Sequence, residues 1–212
     1  MTVREYQKKR RRDRIFQAAM TLFRERGFQE TTATDIAKAA HVSRGTFFNY
    51  FPYKEAVLLD YGSLLLSRLK EEVRRRLAQG VAPLEVLRFL FQELAAFTQA
   101  EKDLLLPLLY ELLNPDPLRA KAAFQALPLG DLIAEVLKPL KEEGVVRQDL
   151  SLERMGRTLA DLYFLGALRW AAYTPHRDFQ EELDKSLLLA LEGILVKPPS
   201  TAQKASGKRA KA

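Results

Sequence analysis

The amino-acid sequence predicts an all-α protein of about nine helices, in which a small N-terminal three-helix unit precedes a larger helical unit. Apolar residues recur at steps of three and four through most of the 212 residues, which is the period of a helix with one buried face. Turn residues separate these stretches, and no alternating run is long enough to indicate a strand. Hydrophobic residues make up 47% of the chain, so the sequence can fill a core.

The first helix is predicted over residues 4–26. One of its faces is apolar and carries Ile15, Phe16, Ala19, Leu22 and Phe23. Gly27 follows at a position where a left-handed residue commonly ends a helix. The run Lys8–Arg14 comes before most of the apolar face, and its charges indicate either a solvated helix surface or a basic arm.

Two short helices follow, joined by a tight turn. Thr32 and the acid Asp35, three positions later, form the capping-box pattern of a helix start. Ser43 is a second N-cap, for a helix over residues 44–51 that Pro52 stops. Together these signals describe a helix-turn-helix, a motif whose second helix enters the major groove of DNA.

The rest of the chain divides into longer helical stretches and a tail. The predicted helices cover residues 54–79, 83–101, 103–113, 117–143 with a break near Pro128–Gly130, 151–173 and 178–196. Residues 197–212 have no apolar period, which predicts a basic, disordered tail. The predicted parts of the chain are therefore residues 1–53, 54–196 and 197–212.

Charge is distributed unevenly along these parts. The net charge is +7, with +6 in residues 1–53 and +5 in residues 197–212, which leaves −4 for residues 54–196. A basic N-terminal part indicates an anionic partner, although basic ends can also serve solubility alone. No signal peptide and no apolar run of membrane-spanning length occur, so the sequence predicts a cytoplasmic protein without a membrane partner.

Several kinds of chemistry are excluded by composition. The chain has no cysteine and two histidines, which removes disulfides, thiol nucleophiles and Cys-ligated zinc. It also lacks a Gly-rich phosphate loop and a G-x-S-x-G motif. We therefore predict no catalytic residue, no metal site and no cofactor, and an enzyme is the less favoured alternative.

The second helix of the motif carries residues suited to reading DNA. Arg44 can bond guanine and Asn49 can bond adenine, while Thr46 can bond a base or contact a thymine methyl. Gly45 lets the backbone approach phosphates, and helix N-termini bind phosphates through their N–H groups. The predicted DNA contacts are Thr32, Thr34, Ser43, Arg44, Gly45, Thr46, Phe48, Asn49, Tyr50 and Lys54.

The stretch TTATDIAKAAHVSRGTFFNYFPYKEAVL, residues 31–58, resembles the DNA-binding signature of tetracycline-repressor-type (TetR family) regulators. The signature T-x-x-x-I-A-x-x-A-G-V-S-x-G-T-x-Y-x-Y-F-x-x-K-x-x-L matches at most positions. Two positions depart from it. His41 replaces the usual turn glycine, and we interpret it as a structural substitute. Phe48 replaces a tyrosine and cannot donate a hydroxyl to a phosphate, so its contact becomes van der Waals.

The resemblance implies a homodimer that binds a roughly palindromic operator in double-stranded DNA. In this family the last two helices form a four-helix interface with the partner subunit, although a purely intramonomer core would also use their apolar faces. The residues that we expect in the interface are Leu159, Leu162, Gly166, Trp170, Leu183, Leu187, Ala190, Leu191 and Ile194.

The resemblance also implies a pocket for a small-molecule effector among the middle helices. Their large apolar residues indicate either a filled core or a pocket for a long apolar molecule such as a fatty acyl-CoA. The candidates are Phe89, Phe97, Leu105, Leu109, Tyr110, Phe124, Tyr163, Arg169 and Tyr173. We therefore expect a ligand-responsive repressor; the alternatives are a non-specific nucleic-acid-binding protein that acts through its basic termini and a helical enzyme.

Overall fold

A computed structural model of the protein describes residues 2–194, which form ten α-helices. In chain order they are α1 (Val3–Arg26), α2 (Ala33–Ala39), α3 (Arg44–Tyr50), α4 (Ala56–Ala78), α5 (Pro83–Ala100), α6 (Lys102–Leu112), α7 (Pro117–Ala126), α8 (Leu129–Glu142), α9 (Leu152–Tyr173) and α10 (Phe179–Ile194). The all-helical prediction is confirmed. The tenth helix arises at the expected break, since α7 and α8 divide the stretch 117–143. The tail predicted over residues 197–212 lies outside the described residues.

Helices α1, α2 and α3 start where their capping residues predict. Thr32 Oγ1 accepts the backbone N–H of Asp35 at 3.2 Å, and an Asp35 carboxylate oxygen accepts the N–H of Thr32 at 3.0 Å. The hydrogen bonds from Thr32 lower the pKa of Asp35. Ser43 Oγ accepts the N–H of Thr46 at 3.0 Å at the start of α3. Phe47 and Phe51 are fully buried and hold α3 against the core.

The turn between α2 and α3 has an unusual backbone conformation at His41. Its φ is +52°, in the left-handed region that glycine adopts without strain. The sequence prediction for this position is therefore confirmed: an exposed histidine occupies a conformation that the family usually gives to glycine. The strain of about 1–2 kcal/mol that a side chain costs there is the price of closing the same turn.

The larger helical unit is held by packing of long helices. Gly156 of α9 lies against Gly130 and Ala134 of α8, where a Cβ on Gly156 would overlap the carbonyl oxygen of Gly130. Trp170 packs on Phe179 with 5.5 Å between ring centroids, which joins α9 to α10. The buried hydroxyl of Tyr163 lies 2.9 Å from Thr98 Oγ1 on α5, and burial raises the pKa of Tyr163 to about 12.

The contact between α8 and α9 gives a stability prediction. Replacing Gly156 with alanine forces the two helices apart, so we expect the free energy of unfolding to fall by about 1–3 kcal/mol. Urea denaturation at a fixed protein concentration measures the change. Gly193→Ala on α10 is the control, since no atom lies within 4 Å of its Cβ position. A Gly156→Ala protein as stable as this control would contradict the close packing.

Candidate nucleic-acid interface

One side of α3 is open to solvent and carries the residues predicted to read bases. Arg44, Gly45, Phe48 and Asn49 are exposed, while Phe47 on the opposite side is buried. The guanidinium of Arg44 lies 5.5 Å from the centroid of the Phe48 ring. A cation near an aromatic face is attracted to it, so the ring supports the Arg44 side chain at the start of α3.

The other predicted DNA contacts surround this surface with varied accessibility. Thr32, Thr34 and Ser43 are exposed at the starts of α2 and α3, while Thr46 and Tyr50 are half-buried. The hydroxyls of Ser43 and Thr46 lie 2.8 Å apart, so they are already hydrogen-bonded to each other. The hydroxyl of Ser43 also accepts the Thr46 N–H, and the two side chains together cap the helix that would face DNA.

Lys54 makes an intramolecular contact that the sequence did not indicate. Its ammonium donates to the carbonyl oxygen of Phe28 at 2.7 Å and lies 4.1 Å from the Phe28 ring centroid. Burial lowers the pKa of Lys54. The residue therefore ties the connection after α3 to the connection after α1. A phosphate contact by Lys54 stays a prediction, since an ammonium has two more N–H groups to donate.

A largely buried ion pair connects α6 and α7 to the chain segment between α3 and α4. Arg119 of α7 donates to both carboxylate oxygens of Glu111, at 2.7 and 3.1 Å. Glu111 is only 3% exposed. The same guanidinium lies 3.8 Å from the Tyr53 ring centroid and 3.5 Å from a Glu55 carboxylate oxygen. Arg119 therefore links the C-terminal end of α6 to residues that directly follow the recognition helix.

A second polar cluster lies at the other end of α6. Tyr61 of α4 donates its hydroxyl to Glu101 at 2.7 Å, and Arg24 of α1 donates to the same oxygen at 3.0 Å. Burial, and then the bond to Glu101, raises the pKa of Tyr61. Sequence reasoning missed both Glu101 and Glu111, because an acid near a helix end is typical of a solvated surface. Only the fold brings their cationic partners close.

Two cavities lie along α9, and they contain only some of the predicted effector residues. A groove of about 820 Å³ between α6, α9 and α10 is lined by Tyr110, Arg169 and Tyr173 together with polar and apolar neighbours. A smaller apolar cavity of about 180 Å³ between α6, α7 and α9 is lined by Leu109 and Phe124 among others. The two cavities share Asp161, Leu165 and Leu168.

The remaining effector candidates do not line these two cavities. The Phe89 ring lies 3.7 Å from the Arg76 guanidinium, between α4 and α5. Phe97 packs on Tyr61 with 5.5 Å between ring centroids. Leu105 and Tyr163 are buried in the core. Apolar size alone does not separate pocket residues from packing residues, so the sequence gave both classes the same weight.

The face of α9 and α10 predicted for the dimer interface needs correction. Five of the nine residues are buried in the monomer and have no surface to offer a partner; they are Leu159, Trp170, Leu183, Leu187 and Leu191. Leu162, Gly166, Ala190 and Ile194 are only partly buried. The exposed apolar face instead includes Leu165 and Leu189, which are 60% and 73% exposed, with Leu188 and Tyr173. The denser apolar stripe packs inward against neighbouring helices.

Two further searches of residues 2–194 concern metals and membranes. Within this range no group of three or more His, Cys, Asp or Glu side chains could hold a metal ion. No helix in the same part of the chain is long and apolar enough to cross a membrane.

The N-terminal helix-turn-helix, with its exposed second helix, and the larger helical unit define the class of helical DNA-binding regulators. Residues 15–61 match the family model of the tetR family of bacterial regulatory proteins. Residues 63–193 match the model for the C-terminal domain of TetR/AcrR family transcriptional repressors. The chain therefore belongs to the TetR/AcrR family, and the resemblance at residues 31–58 is confirmed.

Three known proteins illustrate the range of similarity. The crystal structure of Thermus thermophilus FadR, a TetR family transcriptional repressor in complex with lauroyl-CoA, is 76% identical over 91% of this chain and 99% of that one, with a TM-score of 0.86. The transcriptional regulators YerO and YvdT of Bacillus subtilis are 28% and 30% identical over 72% and 44% of this chain. These matches span 54% and 48% of the two relatives, about half their length.

The exposed leucines of α9 and α10 give a prediction about assembly. Leu189→Arg places a charge in the middle of the exposed apolar face, so we expect a dimer to dissociate to monomers in sedimentation velocity experiments. Leu64→Arg, at an exposed leucine of α4, is the control and keeps the dimer. Leu187→Ala instead lowers the free energy of unfolding by about 2–5 kcal/mol, because it leaves a cavity in the monomer core. A dimeric Leu189→Arg protein would show that another face forms the interface.

Proposed function

We propose that this protein is a transcriptional repressor that binds a palindromic operator as a homodimer and leaves it on binding a fatty acyl-CoA. The observation that carries the proposal is the 76% identity, over 91% of the chain, with a repressor crystallised with lauroyl-CoA. In this proposal residues 1–53 bind DNA, and residues 54–196 bind the effector and the partner subunit. The protein acts in the cytoplasm, where the operator lies, and needs no cofactor.

Operator recognition depends on the exposed side of α3. Arg44, Thr46 and Asn49 contact base edges in the major groove, where arginine pairs with guanine and asparagine with adenine. The starts of α2 and α3 bind phosphates through backbone N–H groups, which fixes the register on the duplex. Regulators of this family bind operators as dimers, and a two-fold dimer reads two half-sites separated by whole helical turns, each about 34 Å.

The effector site of the proposal lies between α6, α7 and α9. The small cavity there is almost entirely lined by apolar side chains, which suits an acyl chain. Arg169 and the hydroxyls of Tyr110 and Thr158 line the adjoining groove and supply polar contacts near it. An acyl chain that enters between these helices displaces α6 or α7 more readily than the packed α8–α9 contact.

The two polar clusters at the ends of α6 couple this displacement to DNA binding. Glu101 bonds α1 and α4, while Glu111 holds Arg119 against the segment after α3. A shift of α6 therefore changes the position of α3 relative to the larger helical unit. The effector releases DNA only to the extent that it binds the shifted conformation more tightly than the DNA-bound one.

Selection of bound DNA followed by effector titration tests the proposed function. We expect the wild-type protein to enrich one palindrome from random duplexes and to leave it on addition of lauroyl-CoA. Lauric acid and free coenzyme A, added separately, are the controls for detergent and nucleotide effects. Binding without an enriched palindrome, lost for every duplex at moderate salt, would favour a non-specific nucleic-acid-binding protein instead.

Base reading by Arg44 gives a specific prediction. Arg44→Ala removes a two-pronged bond to guanine, so we expect a loss of about 1–3 kcal/mol in operator binding and relaxed preference at one base pair of each half-site. Competition binding with a set of single-base operator variants measures both effects. Lys38→Ala, at an exposed cation of α2, keeps the preference at that base pair. An unchanged preference in the Arg44→Ala protein would rule out base reading by this residue.

The role of Glu111 in coupling gives a second prediction. Glu111→Gln weakens the bond to Arg119, so the operator affinity ratio without and with lauroyl-CoA falls by about tenfold, within the usual range of coupling between sites. Lauroyl-CoA binding itself, measured by calorimetry, changes less than this ratio. Glu72→Gln is the control, since Glu72 also binds two arginines, Arg75 and Arg76, but within α4 alone. An unaltered ratio in Glu111→Gln would remove this ion pair from the coupling.

A further inference from the structure

The first three turns of α1 extend beyond the protein core. Every residue from Thr2 to Arg14 is exposed, and burial begins at Ile15. Seven Lys or Arg residues and two acids give this stretch, the α1 extension, a net charge of +5. A helix that is polar all round needs a partner or oppositely charged neighbours on its own surface. One of its two acids, Glu5, is engaged by the N–H of Thr2 at 2.7 Å in the capping box.

One side of the α1 extension continues the core-facing side of the same helix. Arg4, Lys8 and Arg11 follow one another at steps of four and three residues, and Ile15 comes four residues after Arg11. Residues at these steps share a helix face. The three cations form the basic stripe, which overhangs the side of α1 that further along faces the core shared with α2 and α3.

The position of Arg12 shows where the α1 extension leaves the rest of the protein. Its guanidinium lies 4.8 Å from the ring centroid of Phe51, the residue that ends α3. Arg12 also forms an ion pair with Asp60 near the start of α4. The extension therefore projects beside the C-terminal end of α3, next to Tyr50, one of the residues proposed to contact a phosphate.

We infer that the basic stripe Arg4–Lys8–Arg11 binds the phosphate backbone of operator DNA beyond the C-terminal end of α3. The inference rests on the proposed function, because it requires an operator on the exposed side of α3. Like charges at these spacings repel one another in the free protein, and a polyanion relieves the repulsion. The stripe carries no base specificity, so it adds affinity and salt dependence without changing which sequence is bound.

Two triple variants of the same helix test the inference. Arg4→Ala/Lys8→Ala/Arg11→Ala removes the stripe, while Lys9→Ala/Arg10→Ala/Arg14→Ala removes equal charge from other sides of the α1 extension. Each full-length protein is titrated with the palindrome that the wild type selects, over a range of salt concentrations. Each lost phosphate contact lowers the slope of log affinity against log salt by about 0.9, so the stripe variant loses up to about five over two protomers.

The two triple variants must differ for the inference to hold. We expect the stripe variant to lose affinity and salt slope with an unchanged base preference, and the matched variant to retain most of both. Hydroxyl-radical footprinting of the stripe variant loses protection at backbone positions outside the bases read by α3. Equal effects of the two variants, or an unchanged footprint, would overturn the inference and leave the proposed function intact. Failure of the wild type to select any palindrome would overturn both.

Discussion

The ion pair between Glu111 and Arg119 is the interaction on which the functional organisation depends. It places a carboxylate that is almost fully buried against a guanidinium that also contacts Tyr53 and lies near Glu55. Removing one partner from such a pair leaves a buried charge without compensation, which makes the contact costly to break halfway. The residues that follow the recognition helix are thereby fixed to α6 and α7, the same helices that border the apolar cavity.

The second cluster turns this single contact into a two-point attachment. Glu101 lies at the start of α6 and binds both Arg24 and Tyr61, so α6 is attached at each end to elements that carry or contact α1–α3. Between the attachments, α6 contains Pro107 and a run of leucines, several of which line the cavities. A proline inside a helix removes one backbone hydrogen bond. The attachments make the helix a plausible lever between effector and operator because its position cannot change without shifting a partner.

Local signals in the sequence predicted the fold well, whereas contacts between distant segments were beyond it. Thr32, Ser43 and His41 act through their own or adjacent backbone groups, so their roles follow from a few neighbouring residues. Glu111 depends on an arginine eight residues later and on an aromatic residue far upstream, which no local pattern indicates. Helix α9 shows the same limit differently: it has two apolar stripes, and only the fold decides that Leu159 faces inward and Leu165 outward.

The relative position of the two recognition helices tests the account most directly. The chain has no cysteine, so Lys38→Cys on α2 gives one spin label per protomer, and pulsed electron paramagnetic resonance reports the distance between the labels in the dimer. Coupling through α6 predicts a narrow distance distribution in the operator complex and a displaced one in the lauroyl-CoA complex. Identical distributions in the two complexes, under conditions where lauroyl-CoA releases the operator, would contradict a mechanism in which the effector repositions α3.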